Sequence, residues 1–318
     1  MQRQKFVGQY RQCPSTTLLV LGLVIGAGSC GYAEVPAPCK STATGDIEIV
    51  PLKSTVFSNE RNLRIWLPPG YHDAPNATRV YPVLYLFDGQ MLFDRCTAPG
   101  QIAEWRVDET VAELIGRGAI PPIIVVGIDN AGAQRNHEYQ PYLNPLLVPN
   151  DAQGLAGDRI PSFLSQDVLP LVASHYRVSK ERNETGIGGS SAGGAAALMA
   201  LIQRPDLFGL GLLESTSLQF GNGQLMRDTS PILRGPFRVS IGVGTAELGP
   251  DVSKLLDVPA FDASIVQLSQ TLAGNFKAAM FNHPQVRVTV QESAHHGTQF
   301  WAERFPAAVQ FLYATPAH

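Results

Sequence analysis

Short apolar runs alternate with longer amphipathic segments through most of the chain. The apolar runs predict strands at residues 63–67, 83–87, 123–128, 185–188, 209–213, 238–243 and 286–290. The amphipathic segments predict helices at residues 107–115, 161–174, 192–203, 263–276 and 300–313. Strands that alternate with helices of this length are typical of an α/β fold, in which a mainly parallel sheet has helices on both faces.

A glycine-rich run lies between the predicted strand 185–188 and the predicted helix 192–203. Its segment Gly189-Ser190-Ser191-Ala192-Gly193 fits the G-x-S-x-G pattern of a nucleophile elbow, a sharp turn between strand and helix that exposes a serine. Ser190 also has small neighbours, so both serines are candidates, and Ser191 fits the spacing better. The pattern predicts a nucleophilic serine and therefore acyl transfer.

A nucleophilic serine needs a histidine base, and the candidates are the histidines that follow the elbow. In this architecture the acid and then the histidine follow the serine along the chain. His283 precedes the last predicted strand, and His318 is the terminal residue. His295 and His296 directly follow that strand, so we expect the base to be one of this pair.

The acid that orients the base has two candidates, each at the carboxyl end of a predicted strand. Glu214 follows strand 209–213, and Glu247 follows strand 238–243. Glu247 is favoured because Gly249 and Pro250 allow its loop to turn the carboxylate inward. Two backbone N–H groups are also needed to bind the oxyanion, and we expect them from Ala192 and from Gln90 in the turn after strand 83–87.

The N-terminus has the features of a secretory signal peptide over residues 1–33. Basic residues precede an apolar core at 18–28, which is too short to cross a membrane, and small residues end at Ala33. A lipoprotein signal acylated at Cys30 is less favoured, because no large aliphatic residue stands three positions before it. We therefore expect a secreted or periplasmic protein, in which Cys39 and Cys96 remain and form a disulfide.

Composition narrows the function further. The mature chain, 34–318, has the size of one domain, and 44% of all residues are apolar against 16% charged, which is enough to build a sizeable core. A net charge of −3 without a run of basic residues gives no sign of a positively charged surface that would bind nucleic acid. No later segment is long enough to span a membrane, no cysteine has metal-ligand spacing, and no cofactor is expected. The oligomeric state is left open.

The chain resembles the putative-esterase family of α/β-hydrolases. The similarity runs from about residue 45 to the end and rests on the blocks YPVLYLFDGQMLFD, PPIIVVGIDN, RNHEY, GIGGSSAGG and GTAE, and on HHG followed by Trp301. The family includes feruloyl and acetylxylan esterases, enterochelin esterases, S-formylglutathione hydrolases and mycolyltransferases. The resemblance implies an α/β-hydrolase fold and the roles of nucleophile for Ser191, acid for Glu247, base for His296 and oxyanion donor for Gln90. In these esterases the acid is often aspartate, so the glutamate is a departure from the family.

Substrate recognition is less clearly marked in the sequence. The segment 214–236 is too short for a large cap domain, and the loop 131–159 is the expected wall of an open cleft. Arg135 and Glu138 either orient the substrate or form a structural ion pair, and the ion pair is favoured. Candidate substrate contacts, for which packing in the core is equally compatible with the sequence, are the aromatic residues Trp105, Tyr139, Tyr142 and Phe220.

Together, these features predict a secreted serine esterase that hydrolyses a carboxylic ester through an acyl-enzyme. The resemblance points to a carbohydrate-linked acyl ester or a siderophore ester. One alternative is an acyltransferase that uses the same triad. Another is a non-catalytic relative that binds a glycan or a siderophore.

Overall fold

The computed structural model describes residues 39–101, 103–143, 154–230, 232–249, 258–282 and 284–314. In these ranges the strands are β1 (Asp46–Lys53), β2 (Glu60–Leu67), β3 (Val83–Phe87), β4 (Ile124–Ile128), β5 (Thr185–Ser190), β6 (Leu210–Glu214), β7 (Arg238–Gly244) and β8 (Gln285–Gln291). They form one sheet in the order β1-β2-β4-β3-β5-β6-β7-β8. β2 pairs antiparallel with β1 and β4, and every other pair is parallel. The predicted, mainly parallel sheet is confirmed.

Helices cover both faces of this sheet. They are α1 (Val107–Gly116), α2 (Arg135–Tyr139), α3 (Ile160–Phe163), α4 (Leu169–His175), α5 (Ser191–Gln203), α6 (Phe220–Asp228), α7 (Val258–Lys277) and α8 (Thr298–Tyr313). Strand side chains alternate between the faces, so Tyr85 of β3 joins one core cluster and Leu84 joins the other. The first cluster includes residues of α3, α5 and α7, and the second includes residues of α1 and α8.

Four elements differ from the sequence prediction. β1 was not predicted, because most of its residues are exposed or half-buried and it contains Pro51, which an edge strand tolerates since some of its N–H groups have no partner strand. The helix predicted at 161–174 is divided by a π-helical turn, Leu164–Val168, between α3 and α4. α6 was not predicted because Gly221, Asn222 and Gly223 have positive φ angles and interrupt the helical pattern. The short helix α2 was not predicted either.

The predicted disulfide between Cys39 and Cys96 is confirmed, with an S–S distance of 2.02 Å. Next to it, the N-terminal arm, which is the segment 39–45 before β1, donates hydrogen bonds to acidic residues at or just before the start of α1. Thr42 Oγ1 donates to Glu104 over 2.8 Å, and the backbone N–H of Thr44 donates to Asp108 over 2.6 Å. The disulfide and these bonds hold the arm against the loop that leads into α1.

The predicted signal peptide lies outside the described residues, as do Cys30, His283 and His318, and the interpretations that involve them stay predictions. The same is true of residues 144–153 of the expected cleft wall. Among the helices that are described, none combines the length and apolar character needed to cross a membrane. The segment between β6 and β7 holds α6 and is too short for a large cap domain.

Candidate active site

Ser191 lies on a sharp turn between β5 and α5. Its φ angle of 56° is left-handed, a conformation that strains a non-glycine residue by about 1–2 kcal/mol. The turn is so tight that a Cβ atom on Gly189 would lie 2.8 Å from the carbonyl carbon of Gly193. This conformation is the strained strand-to-helix turn that the glycine spacing predicts.

The two serines of the elbow have different surroundings. Ser190 has extended backbone angles at the end of β5 and is only 3% exposed. Ser191 instead lines a cleft of about 300 Å³ at the carboxyl edge of the sheet, together with Glu247 and His296. Ser191 is therefore the serine that a substrate in this cleft would meet.

Glu247 and His296 are in direct contact in the cleft. His296 Nδ1 donates to Glu247 Oε2 over 2.7 Å, and the His296 backbone N–H donates to the Glu247 carbonyl over 3.1 Å. Burial by itself raises the pKa of Glu247, but the bonds from His296, the Gly244 N–H and the Ser215 hydroxyl outweigh it and hold the pKa below the usual 4.5. Glu247 is therefore an ionised carboxylate beside a half-exposed imidazole.

His295 and Glu214, the alternatives left open by the sequence, have other partners. His295 Nδ1 donates to the backbone carbonyl of Ala246 over 2.9 Å. Glu214 is 1% exposed and forms an ion pair of 2.7 Å with Arg304. Burial raises the pKa of Glu214 to about 7 despite that partner, and the charge of Glu247 adds to the increase. Of the two candidate acids, Glu247 is therefore the one that is bonded to a candidate base, His296.

The turn after β3 is held in a fixed geometry close to the elbow. Asp88, with a left-handed φ of 61°, accepts two bonds of 2.7 Å from Arg135. Gln90 is held at its side chain by Asn130 N–H (3.2 Å) and at its carbonyl by the Thr97 hydroxyl (2.7 Å).

The predicted oxyanion donors lie in this turn and in the elbow. Gln90 lies in the short 3₁₀ turn Gly89–Met91. The two N–H groups that follow it in the chain, those of Met91 and Leu92, donate to the carbonyls of Asp88 and Gly89 and so close this turn. Ala192 follows Ser191 in the first turn of α5, where N–H groups have no partner within the helix. The Ala192 N–H is thus adjacent to Ser191, and the turn of Gln90 reaches the same helix through Asp88, which lies against Gly193; the role of both N–H groups as oxyanion donors stays a prediction.

The four aromatic residues proposed from sequence as substrate contacts do not line the cleft. Trp105, Tyr139 and Phe220 are at most 2% exposed and belong to the core clusters. Tyr142 is partly buried against α6 and donates to Asp228 over 2.6 Å. The structure favours core packing for Trp105, Tyr139 and Phe220, while Tyr142 packs against the edge of the first core cluster.

Arg135 and Glu138 also form ion pairs within the protein. Arg135 pairs with Asp88, and Glu138 pairs with Arg61, each over 2.7 Å. Both residues are in structural ion pairs, each with a separate partner rather than with the other.

The sequence did not identify most residues of the cleft wall. The lining includes the polar, neutral residues Thr216, Ser217 and Gln219, in the connection between β6 and α6. It also includes the apolar residues Leu248, Phe261 and Ile265. The polar residues come soon after Glu214, a candidate acid at the end of a predicted strand, and that position was their one signal in the sequence. No sequence pattern marked the apolar residues.

A possible metal-binding group lies elsewhere. Within the described residues, potential ligand atoms of Asp46, Glu48 and His72 come within 4.8 Å of one another. All three side chains are exposed, and none lines the cleft. The group has no part in the chemistry of the cleft.

The eight-stranded sheet with this serine turn, followed along the chain by a glutamate and its histidine partner, defines the chain as an α/β-hydrolase. A family model described as putative esterase matches residues 54–312, so the chain belongs to this esterase family.

Similar proteins include two esterases and a siderophore hydrolase. The ferri-bacillibactin esterase BesA of Bacillus subtilis is 25% identical over 159 residues, which are 47% of this chain and 52% of BesA. The siderophore hydrolase EstB from Aspergillus nidulans has a TM-score of 0.65 at 16% identity, covering 89% of this chain and 99% of EstB. The enterobactin esterase of Shigella flexneri has a TM-score of 0.61 at 19% identity, covering 86% of this chain and 61% of that protein.

These comparisons differ in what they contribute. The two structures confirm the fold at low sequence identity. The chain spans only about half the length of BesA. The esterase family and its esterase neighbours support ester hydrolysis as the type of reaction.

Proposed function

We propose that the protein is a serine esterase that hydrolyses a carboxylic ester through an acyl-enzyme. The observation that carries the proposal is the bond of 2.7 Å between His296 Nδ1 and Glu247, in the same cleft as Ser191. That bond assigns the Nδ1 proton to His296 and leaves Nε2 as an acceptor for a serine proton. The order of serine, glutamate and histidine along the chain agrees with this assignment.

In the proposed mechanism, His296 Nε2 takes the proton from Ser191 as Oγ attacks the ester carbonyl carbon. The N–H groups of Gln90 and Ala192 bind the oxyanion of the tetrahedral intermediate. Collapse of the intermediate breaks the bond to the alcohol, which leaves with the proton from His296. Water then attacks the acyl-enzyme by the same steps and releases the carboxylic acid, and Glu247 stabilises the imidazolium in both halves.

For the substrate, we propose an ester of the siderophore type. BesA is named as an esterase of ferri-bacillibactin, EstB as a siderophore hydrolase and the third protein as an esterase of enterobactin. The enterobactin esterase was crystallised in the presence of 2,3-dihydroxy-N-benzoyl-serine. The cleft lining supports an uncharged, partly apolar group, because Phe261 and Ile265 contribute apolar surface and Thr216 and Gln219 contribute neutral polar groups. A carbohydrate-linked acyl ester is the competing substrate.

The decisive experiment compares Ser191→Ala with Ser190→Ala, a matched change one residue away. The panel contains 4-nitrophenyl acetate, a feruloyl ester, a longer-chain ester and a catecholate trilactone. We expect the wild type and Ser190→Ala to hydrolyse the trilactone and Ser191→Ala to be inactive on every ester. Full activity of Ser191→Ala contradicts the serine mechanism, whereas a preference for the feruloyl ester contradicts only the substrate proposal.

We also propose that the protein is exported, with removal of residues 1–33. The disulfide between Cys39 and Cys96 supports an oxidising compartment, where such bonds persist. N-terminal sequencing of protein recovered from outside the cytoplasm is expected to begin near Glu34. A chain that keeps its first residues, or one acylated at Cys30, contradicts this proposal.

A further inference from the structure

Ser215 occupies the junction between the two candidate acids. Its hydroxyl lies 2.7 Å from Glu247 Oε1, 2.9 Å from Trp301 Nε1 and 3.2 Å from Arg304 Nη2. Arg304 is bound in turn to Glu214 over 2.7 Å. A continuous chain of bonds thus runs from Glu214 through Arg304 and Ser215 to Glu247.

The direction of each bond at Ser215 follows from the chemistry of its partners. An indole N–H and a guanidinium N–H can only donate, and a serine hydroxyl has one proton and two lone pairs. Trp301 and Arg304 therefore occupy both lone pairs of Ser215. The one proton of Ser215 is left to donate to Glu247.

This arrangement fixes the orientation of the Glu247 carboxylate. Oε1 accepts from Ser215 and from the Gly244 N–H, each over 2.7 Å, which leaves Oε2 to accept from His296. Trp301 also touches the base, since its ring meets the His296 ring edge to face at 5.1 Å between centroids. One tryptophan therefore contacts the base directly and holds the acid through Ser215.

Arg304 is held rigidly enough to act on Ser215. Its side chain is 3% exposed, and besides Glu214 it binds Gln291 Oε1 over 2.8 Å. Ser215 itself has a left-handed φ of 43°, which turns it out of the line of β6. Non-glycine residues keep such angles only where the surroundings impose them.

We propose that Ser215 is a positioning residue of the esterase, with its hydroxyl oriented by Arg304 and Trp301 so that it aims Glu247 at His296. Glu214 acts one step further away, by holding Arg304. The inference rests on the proposed function, because it assigns a role relative to the Glu247–His296 pair.

The first test replaces Ser215 with alanine and with glycine. Both changes remove the hydroxyl, but glycine accepts the left-handed backbone without strain. We expect kcat on 4-nitrophenyl acetate to fall by on the order of 10- to 100-fold in both variants, with KM changed less than about 2-fold, as small misplacements of catalytic groups cause. The Ser215→Gly variant is expected to have the higher Tm of the two. If instead the more stable Ser215→Gly variant keeps a wild-type kcat and only the less stable Ser215→Ala variant loses activity, the role of Ser215 is only structural and the proposal is wrong.

The second test compares Trp301→Phe with Trp66→Phe. Both tryptophans are at most 5% exposed, but Trp66 Nε1 has no hydrogen-bond partner among the described residues. We expect Trp301→Phe to slow the labelling of Ser191 by a fluorophosphonate about 10-fold, because the catalytic groups are misplaced. We expect Trp66→Phe to keep the labelling rate within about 2-fold of the wild type, which is a smaller change than a misplaced catalytic group causes. Equal rates in the two variants overturn the role of Trp301.

The Ser191→Ala variant separates this proposal from the function on which it rests. If Ser191→Ala is inactive while both Ser215 variants keep the wild-type kcat, only the positioning role fails. If Ser191→Ala retains full activity, the proposed function and the positioning role both fail.

Discussion

Gly193 of α5 packs directly against the carboxylate of Asp88. A Cβ atom on Gly193 would lie 2.9 Å from Asp88 Oδ2 and 3.3 Å from the Cβ of Phe87. The elbow helix and the turn that carries Gln90 are therefore in contact through the Asp88 carboxylate, with no side chain on Gly193 to hold them further apart. Their separation sets the distance between the two proposed oxyanion donors.

Gly193→Ala is expected to push the two turns apart. Overpacking of this kind costs about 1–3 kcal/mol of stability, and the displaced donor should lower kcat by about 100-fold. Steady-state kinetics and thermal unfolding would measure both effects.

The matched control is Gly274→Ala in α7, where an added Cβ meets nothing within 4 Å. This change should stabilise the protein by about 0.5–1 kcal/mol through helix propensity and leave kcat unchanged. A Gly193→Ala variant with wild-type kcat would contradict the assigned oxyanion turn.

Glu247→Gln is expected to lower kcat by about 10³- to 10⁴-fold while the fold is kept. The N–H of Gly244 and the hydroxyl of Ser215 both donate to Oε1 and require an acceptor there. The amide oxygen must take that position, so the amide NH₂ faces His296 Nδ1 and forces its proton onto Nε2. In that tautomer His296 has no acceptor for the serine proton.

Steady-state kinetics would test this change beside Glu113→Gln, an equivalent change on the exposed face of α1. A Glu247→Gln variant that loses no more activity than the Glu113→Gln control would show that Glu247 does not serve as the acid.

Asp108 should make stability depend on pH. The residue is fully buried, and burial together with Glu109 raises its pKa from 3.8 to about 7. Between these values the folded protein binds more protons than the unfolded chain, so the free energy of unfolding falls as pH rises from about 4 to about 7. For one group the loss has an upper bound of about 4 kcal/mol.

Asp108→Asn should remove this dependence, because an amide oxygen still accepts the bonds from the Thr44 N–H and hydroxyl. We expect the variant to match the wild type near pH 4 and to exceed its stability at pH 8. Urea unfolding across this range would measure the difference. Parallel stability curves for the two proteins would contradict the assignment.

Loss of the disulfide should destabilise the protein by about 4 kcal/mol, from the loop entropy of a closed segment of this length. Cys39 and Cys96 are separated by 57 positions in the chain. Thermal unfolding with and without reductant would measure the loss in the wild type. The Cys39→Ser/Cys96→Ser double variant serves as the control and should not respond to reductant; a wild type that is equally insensitive contradicts the expectation.

The sequence by itself determined the elements that have strong local signals. The buried strand 83–87 has the predicted bounds, because a continuous apolar run between polar residues marks a strand covered on both faces. The elbow was marked by Gly189 and Gly193, since a tight turn excludes larger side chains at those positions. The pairing of Cys39 with Cys96 followed from the count of cysteines that remain after the predicted signal peptide.

The tertiary structure decided which of several neighbours meet. His295 and His296 are adjacent in the chain, and only the packing of the β8–α8 loop turns His296 toward Glu247 and His295 toward the Ala246 carbonyl. The junction at Ser215 joins residues of β6, the β7 loop and α8, which no local pattern relates. Side-chain direction depends on contacts between elements distant in sequence, so the sequence supplied the chemical groups and the fold selected their partners.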